Sequence, residues 1–231
     1  MSRCYSRIMV FGWLWVGVFS SSAAIFGDFE YEILGNNTVE VTGYYGLDEE
    51  LVIPDSIDGL PVVSIGDWAF SWSDSLTVTI PDSVTSIGYR AFFRCGRLTA
   101  INVGELNPAF SSVDGVLFDK KQTTVIQCPG GYQGDFEIPT SVTSIGDSAF
   151  YECSGLTEVY FKGNAPLADR WVFFGAEPTI YYLEGTTGWG ETFAGRPTAV
   201  WYLEEPEVFL GQMTLDSAGV CLWVVGPAGR T

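Results

Sequence analysis

The sequence predicts a repeat solenoid built mostly of short parallel β-strands, with one-turn helices and one β-hairpin repeat. The first observation is a block that recurs as Ser64-Ile65-Gly66-Asp67-Trp68-Ala69-Phe70, Ser86-Ile87-Gly88-Tyr89-Arg90-Ala91-Phe92 and Ser144-Ile145-Gly146-Asp147-Ser148-Ala149-Phe150. Self-similarity at a period of about 20 to 50 residues marks a chain whose units bury their apolar faces only against neighbouring units. The second is a shared pattern downstream of each block. A leucine (Leu76, Leu98, Leu156) and a threonine (Thr77, Thr99, Thr157) precede an alternating apolar pair, Val78 with Ile80, Ile101 with Val103, and Val159 with Phe161. Alternation over so few residues reads as a half-buried strand. The third is punctuation: Ile80-Pro81 and Ile138-Pro139 end strands, because proline has no donor for a continuing ladder.

From the N-terminus, residues 1–24 have the three parts of a secretory signal peptide: Arg3 and Arg7, the apolar run Ile8 to Phe19, and the small residues Ser20 to Ala24. The run is too short to span a bilayer as a mature helix. Residues 25–62 read as an N-terminal cap, with Asp28 to Ile33 alternating like a strand and Asn36-Asn37 turning the chain; a cap covers what would otherwise be an unpaired solenoid edge. Residues 63–184 hold the repeats. Counting from the repeat isoleucine, Gly stands at plus one, Ala at plus four, Phe at plus five and Leu at plus eleven. The Ala-Phe stretch is long enough for one helical turn. Gly66, Gly88 and Gly146 are expected at sharp backbone bends.

Between the second and third blocks the pattern changes. Ser112-Val113 is read in the Ser-Ile place and Phe118 in the Phe place, and the polar tip Asp119 to Gln122 between two β-rich runs predicts a hairpin that replaces the helical turn. Residues 185–203, with Trp189, Phe193 and Trp201, read as a C-terminal aromatic cap. Residues 204–231 read as a linker, Glu204-Glu205-Pro206-Glu207, and the start of an incomplete β segment.

Ile80-Pro81-Asp82-Ser83-Val84-Thr85-Ser86-Ile87-Gly88, followed by Ala91-Phe92, Cys95 and Leu98-Thr99, resembles the BspA-type leucine-rich repeat, and the likeness runs over roughly residues 40–184. Asp58 to Val63 resembles the entry to the first full repeat of that family. The resemblance implies a BspA-like leucine-rich-repeat solenoid, secreted or at the cell surface, engaged in adhesion or other non-covalent recognition. It carries no catalytic residues.

Composition narrows the function classes. With 11 basic against 28 acidic residues the net charge is −17, and loss of Arg3 and Arg7 with the leader makes it more negative. Such a field repels nucleic acid and anionic lipid. The chain has no histidine, which removes the usual general base, Ser-His and Cys-His nucleophilic systems and histidine-containing zinc sites. The acidic runs Asp48-Glu49-Glu50 and Glu204-Glu205 lack the spacing of a calcium loop, so neither metal nor cofactor is expected, and no enzymatic role. Cys95 and Cys153 share the plus-eight place but have the hairpin unit between them. Two steps of about 4.8 Å leave them about 10 Å apart, too far for a disulfide, so both read as buried small apolar residues. Cys128 is read on the strand side of the intervening unit, where a bridge to either stays open.

Positions that vary between repeats are the candidates for partner binding. On the predicted helical turn these are plus three and plus seven: Trp68 with Trp72, and Arg90 with Arg94. On the strand face they are Thr79, Asn102, Tyr160 and Tyr181, on the surface that solenoids use for extended recognition. The two indoles form either an interface platform or packing under the N-terminal cap. The arginines, with Arg97, either anchor an acidic ligand or neutralise neighbouring carboxylates. The expected partner is an extracellular protein, with a polysaccharide-binding module or a passive envelope component as alternatives.

Overall fold

β-Branched and aromatic residues in alternation produce the expected strands, and the parallel register between them winds the chain into a solenoid. The computed structural model describes residues 23–202 and, beyond them, only the backbone of short strands at Phe209–Leu210, Leu215–Asp216, Gly219–Val220 and Val224–Val225. The expected leader, up to residue 22, and the rest of 204–231 lie outside the described residues.

The N-terminal part comprises β1 (Ala24–Phe26), β2 (Phe29–Ile33), β3 (Val39–Tyr44), β4 (Glu50–Val52), β5 (Ser56–Ile57) and β6 (Leu60–Ile65). β7 (Thr77–Ile80), β8 (Ser86–Ile87) and β9 (Ala100–Val103) come next. β10 (Phe110–Val113), β11 (Val116–Asp119) and β12 (Thr124–Gln127) are antiparallel neighbours. The C-terminal part contains β13 (Gly134–Ile138), β14 (Ser144–Ile145), β15 (Leu156–Phe161), β16 (Thr179–Leu183), β17 (Thr192–Phe193) and β18 (Arg196–Trp201).

Two walls are ladders of parallel strands. In one, β3, β6 and β8 align Val41, Ile65 and Ile87, and β12 pairs β14 through Val125 and Ile145. In the other, β4, β7 and β9 align Val52, Thr79 and Asn102, and β13, β15, β16 and β18 align Glu137, Tyr160, Tyr181 and Ala199. Both walls are interrupted at the same level: β8 has no ladder to β12, nor β9 to β13. The apolar core divides there as well, one cluster running from Tyr31 to Leu117 and the other from Val116 to Ile180.

The third wall corrects the expectation of one-turn helices. Among the described residues there is no helix. The run after each repeat isoleucine is a chain of turns, and in the Ile65 run alternate amides bond differently. Ala69, Ser71 and Ser73 donate to carbonyls three residues back, whereas Trp68, Phe70 and Trp72 donate to the carbonyls of Tyr89, Ala91 and Phe93 in the next repeat, at 2.8–3.1 Å. Phe150 and Glu152 donate in the same way to Val172 and Phe174. This geometry requires positive φ at plus three and plus seven: 60° and 65° at Trp68 and Trp72, 53° and 58° at Arg90 and Arg94, 59° and 56° at Ser148 and Glu152. A left-handed non-glycine residue costs about 1–2 kcal/mol. The lateral bonds hold it there, and a helix would leave the facing amides of adjacent repeats without that ladder.

The block glycines are needed for a different reason than expected. None of Gly66, Gly88 and Gly146 has positive φ. A Cβ on Gly88 would stand 2.6 Å from the carbonyl carbon of Gly66, and on Gly146 3.1 Å from the Val125 oxygen. Placed where each strand gives way to the turn run, they permit close stacking and need no left-handed backbone.

The hairpin unit is also re-registered. Thr124-Val125, rather than Ser112-Val113, pairs with Ser144-Ile145, so Val125 holds the repeat-isoleucine place. Phe118 is fully buried but meets Phe136, at 6.3 Å between ring centroids, instead of joining the column of turn-run phenylalanines, in which Phe70 stacks on Phe92 and Phe150 on Phe173. The predicted tip is present: Asp119 accepts from the Thr123 and Thr124 amides and the Thr123 hydroxyl, which also holds its carboxyl below the usual range against the opposing effect of burial. Cys128 follows Val125 by three residues, where Cys153 follows Ile145 by eight, so this unit has no turn run. Its amide donates to the Ala149 carbonyl and the Cys153 thiol donates to the carbonyls of Cys128 and Pro129, which places Cys128 beside Cys153 and not on the strand side. Cys95, Cys128 and Cys153 are free thiols, each buried. Burial pushes the Cys95 thiol up to about 11.

Candidate functional site

The hairpin unit has no turn run and bonds to the next one through Gln127 and Cys128, which donate to the Ala149 carbonyl. Side chains of the Ile87 repeat reach across to those of the Ile145 repeat, 58 residues later. Arg94 pairs with Glu152 at 3.0 Å, Arg90 Nη2 donates to Ser148 Oγ at 3.1 Å, and the Tyr89 hydroxyl donates to Asp147 at 2.9 Å. The Phe93 and Tyr151 rings meet at 4.6 Å.

These contacts join a longer series. Trp68 lies edge-on to Phe93 at 5.1 Å, Phe93 meets Tyr151, Tyr151 stacks on Phe174 at 5.2 Å, and Trp171 closes the row at 5.7 Å from Phe174. The series crosses four turn runs. The last of them, in which Val172 and Phe173 occupy the Ala and Phe places, carries no copy of the recurring block. Both arginines sit among the rings, Arg90 4.8 Å from the centroids of Tyr89 and Phe93, and Arg94 4.8 Å from that of Trp72. The Tyr151 hydroxyl, with Glu152, holds the Arg94 guanidinium above its ordinary value. Trp72 remains 65% exposed, and Trp68, Tyr89, Trp171 and Phe174 each between 41% and 47%.

The turn-face candidates Trp68, Trp72, Arg90 and Arg94 are thus brought together, and the ring contacts of both indoles go to the following repeat instead of the cap. Of the arginines, Arg94 and Arg97 face carboxylates, Arg97 at 3.9 Å from Glu49. Sequence reasoning missed Phe93, Tyr151 and Phe174 at plus six, with Tyr89 and Trp171. The signal was present, since plus six is aromatic in three successive turn runs.

The strand-face candidates are not brought together. Thr79 is beside Asn102, and Tyr160 stacks on Tyr181 at 5.0 Å with Trp201 edge-on, but the pairs belong to ladders on opposite sides of the interruption. The Glu158 carboxylate, accepting from the Tyr160 hydroxyl, pushes that phenol up to about 12. Among the described residues no group of three or more Cys, Asp or Glu is placed to hold a metal ion, and no helix is long and apolar enough to cross a membrane.

Stacked parallel ladders, a repeated leucine and a buried phenylalanine column define a leucine-rich-repeat solenoid of about six turns. Residues 49–133 and 132–184 match the family described as the BspA type leucine rich repeat region, in six copies. The chain belongs to that family. Similar solved structures include a leucine-rich repeat protein from Bacteroides capillosus (25% identity over 62% of this chain and 99% of that one, TM-score 0.41). Others are the T. pallidum leucine rich repeat protein (22%, 71% and 87%, TM-score 0.45) and a leucine rich cell surface protein from Faecalibacterium prausnitzii (17%, 72% and 72%, TM-score 0.38). No curated protein matches the chain.

Proposed function

We propose that this is an extracellular or cell-surface protein whose task is non-covalent recognition of another protein, and that the aromatic and arginine row on the turn face is the surface it uses. The observation that carries the reading is the run of rings from Trp68 through Phe93, Tyr151 and Phe174 to Trp171, half-exposed and continuous across four turn runs. Aromatic residues and arginine are the side chains enriched in interface hot spots. The leader-like pattern of residues 1–24 and the family supply the extracellular setting.

Ring orientation favours a protein over a polysaccharide. Sugars stack on open aromatic faces, whereas here Tyr151 and Phe174 are inclined by only 17° and cover one another, as Tyr160 and Tyr181 do at 14°. Faces covered in this way are closed to a sugar ring. The test is binding of the full chain to a panel of extracellular-matrix proteins and polysaccharides, beside Trp68→Ala with Trp72→Ala and Tyr160→Ala with Tyr181→Ala. The expected outcome is saturable binding to a protein, weakened at least about tenfold by the tryptophan pair with the melting point kept and untouched by the tyrosine pair. Binding only to glycans, or loss only with the tyrosines, overturns it.

A further inference from the structure

Arg90 stands apart from the other arginines of its repeat. Arg94 and Arg97 each face a carboxylate, but among the described residues none lies within ion-pair distance of Arg90, in a chain with 28 acidic residues. Its guanidinium is ringed by Trp68, Tyr89, Phe93 and Tyr151 at 4.8–6.0 Å, which removes much of its water. Nη2 donates to Ser148, while Nε, like that of Arg94, is buried with no acceptor. Of the two acids of the neighbouring run, Asp147 accepts from the Tyr89 hydroxyl and Glu152 pairs with Arg94.

The same arginine forms one wall of a notch of about 330 Å³ whose other walls are Tyr151, Trp171 and Phe174. The notch exists because of the plus-three column, which reads Trp68, Arg90, Ser148 and Trp171. Ser148 is the small member, 2% exposed, so between the Arg90 and Trp171 side chains a volume is left unfilled. A cation on one side and three rings on the others make a site with two demands, a negative charge and an apolar body beside it.

We infer that this notch receives an acidic segment of the partner protein, a Glu or Asp carboxylate meeting the Arg90 guanidinium while an adjoining bulky apolar side chain lies against Tyr151, Phe174 and Trp171. The inference rests on the turn face being the recognition surface and adds the selectivity of that surface. A planar guanidinium offers paired donors to a carboxylate, and partial desolvation among the rings strengthens the pairing. A uronic acid supplies the carboxylate but surrounds it with hydroxyls. Against those the notch sets mostly aromatic carbon, with the Tyr151 hydroxyl, which supports Arg94, and the Trp171 indole N–H as its polar atoms beside the guanidinium, so most of the hydroxyls would be desolvated without partners. The chain's own negative field makes the selection sharper, because an acidic segment is attracted only where a cation is presented.

The test titrates the full chain with N-acetyl-Leu-Glu-Phe-amide, its Gln counterpart and methyl glucuronide, following tryptophan fluorescence and the indole resonances. The Glu peptide should bind at least about tenfold more tightly than the Gln peptide, the size expected when a hydrogen bond to a charged group is lost. Arg90→Gln should abolish that preference, and Lys162→Gln, a cation paired with Glu137 away from the turn face, should keep it. Trp171→Ala, a change at an exposed wall, should weaken both peptides equally and so test the apolar half even if Arg90→Gln lowers the melting point. Equal affinity for the two peptides, binding of methyl glucuronide as tight as that of the Glu peptide, or no saturation by any probe at about 10 mM overturns the inference. A protein partner that is lost with Trp68→Ala and Trp72→Ala yet holds Arg90→Gln at full affinity overturns it while leaving the turn face as the recognition surface.

Discussion

At the level of the hairpin unit the two strand walls and the turn face behave in opposite ways. The strand walls stop: β8 and β9 end one set of ladders, and β12 and β13 begin another. The turn face continues, because Phe93, Arg90 and Arg94 reach the next turn run and meet Tyr151, Ser148 and Glu152. Strand pairing needs a backbone partner at every step of about 4.8 Å, so a unit out of register breaks it. Long side chains span two steps, so they do not stop with it. A recognition surface of side chains therefore tolerates an insertion that a surface of strand residues does not: the turn-face row carries on past the hairpin unit to Tyr151, Phe174 and Trp171, while the strand-face candidates fall on either side of it.

The comparison is most strongly tested in the core. Phe92 and Phe150 flank the interruption, each stacked on a single ring on its far side, Phe70 and Phe173 respectively. If each closes its own core cluster, Phe92→Ala and Phe150→Ala should each cost about 3–5 kcal/mol in urea melts. A loss of about 0.5 kcal/mol or less at either position would mean that the column does not hold that side together.

Backbone amides offer a sharper test of where the walls end. Trp68, Phe70 and Trp72 donate to the next repeat, whereas the equivalent amides of Arg90, Phe92 and Arg94 have no acceptor among the described residues. Hydrogen exchange at Arg90, Phe92 and Arg94 should be at least about tenfold faster than at Trp68, Phe70 and Trp72, a difference of about 1.4 kcal/mol in local opening. Equal protection would show that the turn wall is continuous in its backbone as well.

The smallest effect concerns the bridging side chains. Phe93 and Tyr151 are half-buried, and a double-mutant cycle with Phe93→Ala and Tyr151→Ala should give a coupling of about 0.5–1.5 kcal/mol, the range for an aromatic pair. The Arg94–Glu152 pair, about a third exposed on both sides, should contribute less than the rings and lose its share in salt. No coupling between the rings would sever the turn face at the hairpin and make it two patches, as the strand face is.

Sequence made the repeat positions legible because apolar alternation and strand-ending prolines are local signals. Val125 was not legible as a repeat isoleucine, since neither a glycine nor an Ala-Phe pair comes after it; only its pairing with Ile145 shows the place it holds. Of the site, Trp68, Trp72, Arg90 and Arg94 could be read as variable positions, but that Arg94 meets Glu152 depended on the intervening unit having no turn run, and Trp171 and Phe174 sit in a run without the recurring block.

By itself the sequence determined the solenoid, its strands, its buried phenylalanines and its acidic surface, all of which result from the spacing and burial of side chains within one repeat. Only the tertiary structure decided that the run after each isoleucine is a ladder of left-handed turns. An isolated segment gains nothing by putting tryptophan or arginine at positive φ; it is stable there because the amides of one repeat find the carbonyls of the next, and that pairing exists only once the repeats are stacked.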